Sequence, residues 1–142
     1  MEELLGTELI NSKTGTVTPA EAVKDAKLVM IYFSMHTCPP CLEFTPIFAE
    51  LYNEFNASEK TFEVIFFSGD KTDEQYNKYF AEMPWLGLPR GDPRIATVAK
   101  KFEVRGVPRL IVLKPDGTVV ESNAVKKITS DGPAAIEEYL NA

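Results

Sequence analysis

The sequence predicts an α/β domain built on a central mixed sheet that is flanked by helices. Two continuous apolar runs of strand length, residues 28–33 and 62–67, are typical of strands that are buried on both faces. After each run, apolar residues recur at steps of three and four, which indicates a helix. Strands that alternate with helices favour parallel crossovers, and the turn at 115–117 adds an antiparallel strand to the sheet.

The other elements follow in order along the chain. Thr18, Pro19 and Glu21 form a helix-start pattern, which predicts a short helix that ends near residue 24 or 25. The helix after the first strand is predicted to begin at the cysteines and to end near Asn56. The remaining predictions are helices at 73–81 and 93–102, a loop at 84–91, strands at 110–113 and 118–121, and a last helix from residue 132.

Length and charge restrict the classes of function. The chain has 142 residues, 44% of them hydrophobic, which suits a single domain over residues 1–142 with a proper core. Its net charge of −6 lacks the basic footprint that binding to nucleic acid requires, and makes an anionic membrane surface an unsuitable partner. There is no apolar run of roughly 20 residues and no secretory signal pattern at the start. We expect a monomer in the cytoplasm, and in the nucleus as a further location.

The two cysteines, Cys38 and Cys41, form a C-x-x-C pair at a predicted junction between a strand and a helix. One such pair cannot supply four zinc ligands, and the single histidine, His36, lies too close to complete a site, so we expect neither metal nor cofactor. In an intracellular chain this spacing indicates redox chemistry. Helix positions three apart are separated by about 5–6 Å, which suits a redox-active Cys38–Cys41 disulfide.

The same spacing predicts different roles for the two thiols. Cys38 is predicted at the N-cap, where the helix dipole and free N–H groups stabilise a thiolate. Because Pro39 and Pro40 have no N–H group, only the Cys41 N–H remains to donate to the Cys38 sulfur. Cys41 lies one turn further on, and we expect it to be buried and protonated. We therefore expect Cys38 to attack a partner disulfide and Cys41 to resolve the mixed disulfide.

Two structural alternatives apply to the cysteines. A permanent structural disulfide would close a loop of only two intervening residues and would constrain the unfolded chain least. Two inert thiols would require that both cysteines be buried. At the level of function, the alternatives to a dithiol reductase are a redox-sensing module that binds a protein, and an oxidant of a secretory compartment.

Four segments together resemble one family. They are residues 33–46 around Cys-Pro-Pro-Cys, 62–66, 79–86 with the sequence Tyr-Phe-Ala-Glu-Met-Pro-Trp-Leu, and 104–110. The chain resembles tryparedoxins and nucleoredoxins of the thioredoxin superfamily from about residue 4 to residue 120. The resemblance implies a thioredoxin-like fold in which Pro108 is a cis-proline before a sheet strand and Val107 pairs with a partner peptide. It also implies reduction of protein disulfides, with peroxiredoxin-type proteins among the targets and an upstream dithiol reductant or reductase.

The chain departs from the family pattern at two positions near the dithiol, Thr37 and Arg109, and at a third, Tyr32, it agrees with the tryparedoxin-like group while differing from classical thioredoxins. Thr37 stands where the family usually has Trp, which changes the surface that a partner would contact. Arg109 replaces the usual Thr after the cis-proline, and is interpreted either as a cation that stabilises the Cys38 thiolate or selects acidic partners, or as a solvent-facing residue. Tyr32 stands where thioredoxins proper have a buried Asp, so the resemblance assigns no proton acceptor to Cys41.

Two further residues are candidates for contact with a partner or for tuning the dithiol. His36 could acidify Cys38 or shuttle a proton, although an exposed loop histidine is the preferred interpretation. Trp85 lies in a loop rich in proline and apolar residues and could contact a partner. For Trp85 a place in the core, where it would hold that loop, is preferred.

Overall fold

The computed structural model describes residues 2–5, 9–11 and 15–142. Within these residues seven strands form one mixed sheet in the order β2-β1-β5-β4-β3-β6-β7. The strands are β1 Leu9–Asn11, β2 Gly15–Val17, β3 Leu28–Ser34, β4 Phe62–Ser68, β5 Leu86–Gly87, β6 Arg109–Leu113 and β7 Val119–Glu121. The helices are α1 Glu2–Leu5, α2 Pro19–Ala22, α3 Pro39–Phe55, α4 Asp73–Phe80, α5 Pro93–Lys101, α6 Val125–Asp131 and α7 Pro133–Leu140.

The central strands are buried on both faces, which explains their continuous apolar sequence. Alternate residues of β3 contribute to two separate cores, with Met30 and Tyr32 on one face and Ile31 and Phe33 on the other. Helices α3, α4, α6 and α7 cover the first face, and α1, α2 and α5 cover the second. The predicted mixed sheet with helices on its faces is therefore confirmed.

The connections bring two chain segments together at one end of the inner strands β3 and β6. β3 and β4 are parallel, whereas β6 runs antiparallel to β3 with Arg109 opposite Phe33. The chain that leaves β3 toward α3 therefore lies beside the chain that enters β6. The Cys-Pro-Pro-Cys segment and the Val107–Pro108 pair lie at this end of the two strands.

Several short elements were not predicted. β1, β2 and β5 have two or three residues each, which is too few to show a periodic pattern, and β5 lies in the segment predicted as a loop. α1 and α6 were also missed. α2 ends at Ala22, earlier than predicted, because the chain turns there through bonds from Lys24 N to Glu21 O and from Ala26 N to Val23 O. In residues 2–5, 9–11 and 15–142, no helix combines the length and apolar character that crossing a membrane requires.

Candidate active site

The leading cysteine caps the helix that follows it. Cys38 is the N-cap of α3 with extended backbone, and its sulfur accepts the Cys41 N–H at 3.3 Å. Pro39 and Pro40 occupy the first two helical positions, which have no N–H to offer. The Cys38 side chain is partly exposed, so a partner disulfide can reach it.

The second cysteine lies behind the first. Cys41 is fully buried, and both cysteines are free thiols. Burial, followed by a hydrogen bond to the Cys38 sulfur, raises the pKa of the Cys41 thiol to about 11, while a hydrogen bond with the Ser34 hydroxyl acts to lower it. The buried thiol therefore keeps its proton at neutral pH and must lose it before it can act as a nucleophile.

The segment before β6 completes the surface around Cys38. The Val107–Pro108 peptide bond is cis, which matches the geometry that the resemblance implies. The Cys38 thiol donates to the Val107 carbonyl oxygen at 3.7 Å. Val107 and Pro108 are both partly exposed, so the main chain beside the thiol is open to a partner.

A cluster of four hydroxyl groups lies on the inner side of Cys41. We call Tyr32, Ser34, Thr45 and Tyr79 the hydroxyl cluster. The Tyr79 hydroxyl lies 2.6 Å from Ser34 Oγ and 2.6 Å from Thr45 Oγ1, and Thr45 Oγ1 lies 2.6 Å from the Tyr32 hydroxyl. All four side chains are buried, and burial raises the pKa of both tyrosines, so they stay neutral.

The sequence did not single out three members of this cluster. The apolar period of its helix predicts only a core position for Tyr79, and the sequence pattern assigns no role to Ser34 or Thr45. A signal was present, because Ser34 ends an otherwise apolar buried strand and Thr45 follows Phe44 on the buried side of α3. Buried polar side chains require hydrogen-bond partners, so two such residues near the dithiol predict a local network.

The loop before Cys38 is tied to the end of β4. His36 N donates to Asp70 Oδ1 at 2.7 Å, and Ser68 Oγ donates to Asp70 Oδ2 at 2.7 Å. The His36 ring packs edge-on against the Tyr79 ring, with centroids 5.8 Å apart. The preferred interpretation of an exposed loop histidine is therefore wrong, because His36 is half-buried between this loop and α4.

The other candidates fall into different environments. Thr37 is exposed in the loop before the dithiol. Arg109 donates through Nε to the Ser122 carbonyl oxygen at 2.7 Å and through a terminal nitrogen to the Phe102 carbonyl oxygen at 3.3 Å, so it is not a freely solvated side chain. Its guanidinium joins the start of β6 to two neighbouring segments.

Trp85 belongs to the core. Its side chain is fully buried, and its ring lies 5.1 Å from that of Phe48 and 5.8 Å from that of Tyr32. The interpretation of Trp85 as a partner contact is therefore wrong. The preferred interpretation, a core residue, is confirmed.

Comparison with known proteins agrees with this geometry. A family model described as thioredoxin-like matches residues 25–119. The chain belongs to the thioredoxin-like family. Across the part of the chain that the structure describes, no three His, Cys, Asp or Glu side chains are grouped so that they could hold a metal ion.

Individual relatives point to the same branch of the family. The chain is 39% identical over 137 residues to probable nucleoredoxin 1 of Arabidopsis thaliana, an alignment that covers 95% of this chain and 24% of that protein. It is 36% identical over 135 residues to tryparedoxin of Trypanosoma brucei brucei, covering 93% of this chain and 91% of the relative. The crystal structure of a thioredoxin from Wuchereria bancrofti matches with a TM-score of 0.82 and 34% identity, over 97% of this chain and 96% of that one.

The relatives differ in how much of them this chain represents. It spans about a quarter of the plant nucleoredoxin but nearly all of the tryparedoxin. The fold, the C-x-x-C dithiol and these relatives together support a thiol–disulfide oxidoreductase.

Proposed function

We propose that this protein reduces protein disulfides through its dithiol, with Cys38 as the nucleophile and Cys41 as the resolving thiol. The observation that carries the proposal is the pairing of a partly exposed N-cap sulfur with a fully buried thiol one turn behind it. Attack on a partner requires access to solvent, whereas resolution requires a second thiol that is shielded from competing partners. The two cysteines meet these requirements separately.

The reaction proceeds in two exchanges. The Cys38 thiolate attacks one sulfur of the partner disulfide, the partner's S–S bond breaks, and its second sulfur leaves as a thiolate. Deprotonated Cys41 then attacks the Cys38 sulfur, which forms the Cys38–Cys41 disulfide and releases the first partner sulfur. Two electrons pass to the partner, and an upstream dithiol reductant or reductase must return two electrons to the domain.

The surface beside Cys38 supports a polypeptide as the substrate. The open main chain at Val107 and Pro108 offers hydrogen bonds to an extended partner segment, as in peptide recognition by strand addition. Peroxiredoxin-type proteins are among the targets we propose. Because a reductant functions in a compartment that keeps it reduced, the proposal includes a cytoplasmic or nuclear location. It also includes a monomer that forms one domain.

Reduction of insulin disulfides by dithiothreitol tests the proposal. Wild-type protein is expected to accelerate insulin reduction, and Cys38→Ser is expected to lower the rate to that of dithiothreitol alone. The matched control is Glu50→Gln, an exposed position further along the same helix, which is expected to keep the wild-type rate. Unchanged turnover in Cys38→Ser would exclude this function, and wild-type protein without turnover would favour a redox-sensing binding module.

The direction of electron flow has its own test. Equilibration of the dithiol with glutathione gives its reduction potential. A reductant is expected to lie toward the thioredoxin value of about −270 mV rather than the value of about −120 mV for a strong oxidant such as DsbA. A potential near the oxidising value would reverse the proposed direction.

A further inference from the structure

The resolving thiol needs a proton acceptor that the dithiol itself cannot supply. In the reduced protein the Cys38 sulfur accepts the Cys41 main-chain N–H at 3.3 Å and is the nearest group that could take the proton of the Cys41 thiol. In the mixed disulfide that sulfur is bonded to the partner and carries no charge, so it is no longer a base. Burial then keeps the proton on Cys41 at the stage where the thiolate is required.

The side chains of the hydroxyl cluster are the polar groups that lie next to the Cys41 thiol. The buried Ser34 hydroxyl acts to lower the pKa of the Cys41 thiol, and the Tyr79 hydroxyl lies 2.6 Å from Ser34 Oγ and donates to the Cys41 carbonyl oxygen at 3.5 Å. Thr45 Oγ1 lies a further 2.6 Å from the Tyr79 hydroxyl. Each hydroxyl both donates and accepts a hydrogen bond, so a proton can pass along the row with no member acquiring a lasting charge.

The row of hydroxyls ends at a cavity between α3 and α4. The cavity has a volume of about 270 Å³ and is lined by Leu42, Thr45, Pro46, Tyr79 and Glu82. Pro46 has no N–H, so the Leu42 carbonyl oxygen lacks its usual donor within the helix. Glu82 is exposed and brings a carboxylate to the same wall.

We propose that the Ser34–Tyr79–Thr45 hydroxyl row carries the proton of the Cys41 thiol sideways to the cavity between α3 and α4 while the mixed disulfide is resolved. The proposal rests on the two-thiol function above and assigns the acceptor that a buried carboxylate would otherwise provide. Ser34 is the member of the row assigned to the Cys41 thiol, whereas Tyr79 and Thr45 act through it as positioning residues.

The proton transfer balances without a further reactant. The Cys41 S–H bond breaks as Ser34 Oγ gains that proton, and Ser34 passes its own proton to the Tyr79 oxygen. Tyr79 passes its proton to Thr45, and Thr45 passes one to water in the cavity or, through that water, to the Glu82 carboxylate. The electron pair left on the Cys41 sulfur forms the new bond to Cys38, and the partner sulfur leaves with the electrons of the bond that breaks.

Rapid mixing with dithionitrobenzoate separates the two steps. The first thionitrobenzoate is released when Cys38 attacks, at a rate proportional to reagent concentration, and the second is released when Cys41 resolves the adduct, at a rate independent of concentration. Tyr79→Phe is expected to leave the first phase unchanged and to slow the second by about tenfold or more at neutral pH, as for loss of a proton-transfer group. Tyr76→Phe is the matched control. It removes a buried tyrosine hydroxyl from the same helix, and that hydroxyl donates to the Leu88 carbonyl oxygen.

The pH dependence distinguishes proton transfer from mere packing. Tyr79→Phe is expected to lose its deficit as the pH rises, because hydroxide then removes the proton of the buried Cys41 thiol without the relay. The titratable groups around this thiol and the hydroxyl row are Cys38, which is blocked in the adduct, the Tyr32 and Tyr79 hydroxyls, the His36 imidazole against the Tyr79 ring, the Asp70 carboxylate that accepts from His36 N, and Glu82 at the cavity. The comparison is therefore repeated in a His36→Asn background.

The outcomes separate the relay from the function on which it rests. A second phase that is equally fast in Tyr79→Phe and wild type at every pH would overturn the relay alone, as would a deficit that does not change with pH. Absence of the first phase in wild type would overturn the function itself. Glu82→Gln is expected to slow the second phase less than Tyr79→Phe, because water still reaches the cavity.

Discussion

Two polar clusters are buried at opposite ends of the same pair of strands, and they differ in charge. At the ends of β3 and β4 nearest the dithiol, the hydroxyl cluster contains only neutral groups. Near their starts, the Glu63 carboxylate, 2% exposed, accepts from the Tyr52 hydroxyl at 2.8 Å and from the Val64 N–H at 2.9 Å, and pairs with Lys60. We call Tyr52, Lys60 and Glu63 the carboxylate cluster.

The difference teaches what lies directly beside Cys41, because a buried carboxylate, Asp70, also occurs at the dithiol end of β4, where the His36 N–H and the Ser68 hydroxyl donate to it. A carboxylate away from the dithiol can be fully paired, and it then contributes only to the stability of the sheet and α3. A carboxylate beside Cys41 would oppose formation of the thiolate by like-charge repulsion. Tyr32, which ends in a hydroxyl, occupies that end of β3 instead. The two clusters should therefore separate in experiment, with the hydroxyl end affecting chemistry and the carboxylate end affecting stability.

The largest effect is expected from removal of the resolving thiol. Cys41→Ala should still attack a disulfide through Cys38 but cannot release the product, so the mixed disulfide should accumulate to nearly one per protein. Mass spectrometry after reaction with a disulfide peptide, in the absence of added thiol, measures the adduct. Cys38→Ser is the control and should form no adduct. An adduct that Cys41→Ala releases as fast as wild type would show that another group resolves it.

The next effect concerns the opposite cluster. Glu63→Ala should lower the free energy of unfolding by about 2–3 kcal/mol, because it leaves the Tyr52 hydroxyl and the Val64 N–H buried without their acceptor. Urea denaturation measures this loss. Both phases of the dithionitrobenzoate reaction should remain at wild-type rates in the folded protein.

A matched substitution controls for the change in net charge. Glu50→Ala removes an exposed carboxylate from α3 and should change the free energy of unfolding by less than about 0.5 kcal/mol. If Glu63→Ala slowed either phase of the dithionitrobenzoate reaction and left the free energy of unfolding unchanged, the carboxylate cluster would act in the reaction and not in stability, contrary to this assignment.

The sequence was sufficient for the features that arise locally. The apolar runs predicted β3 and β4, and the two prolines after Cys38 predicted its single main-chain donor, the Cys41 N–H. The cis bond at Pro108 followed from the family resemblance rather than from local pattern. These features depend on neighbours in the chain or on motifs of fixed spacing.

The remaining features depend on contacts between distant segments. Tyr79 meets Ser34 across 45 positions of sequence and Thr45 across 34, so its hydroxyl role cannot be read from the apolar period of its helix. The burial of His36 requires the same helix to fold over the loop that carries it. Strand β1 is defined by its pairing with β2 and β5, and strand β5 by its pairing with β1 and β4.

Alkaline pH should expose a smaller difference between the two ends. Below about pH 9 the Cys41 thiol is protonated in both the folded and the unfolded chain, so its contribution to the free energy of unfolding does not change with pH. Between about pH 9 and 11 the unfolded chain binds fewer protons, because burial raises the folded pKa to about 11, and the free energy of unfolding should fall by at most about 1.4 kcal/mol per pH unit. Burial and Glu63 also raise the pKa of Tyr52, whose contribution should begin about one unit higher.

Two variants separate these contributions. Cys41→Ala should remove the decline that begins near pH 9, and Tyr52→Phe should reduce the decline that begins near pH 10, to which other buried tyrosines such as Tyr32 and Tyr79 also contribute. Urea denaturation over this range measures both. If Cys41→Ala declined in parallel with wild type from pH 9 upward, the buried thiol would not be the group that titrates.

The smallest effect tests whether closeness to the dithiol is enough to make a polar residue functional. Arg109 lies next to the cis-proline, but its guanidinium is held by the carbonyl oxygens of Ser122 and Phe102. Arg109→Met keeps the apolar stem and removes these bonds, so it should lower the free energy of unfolding by about 1 kcal/mol and change insulin turnover by less than about twofold. Thermal denaturation and the insulin assay measure the two quantities. A large loss of turnover at unchanged stability would show that the cation acts on Cys38 or on the partner. The functional site would then include the start of β6 as well as the buried hydroxyl cluster.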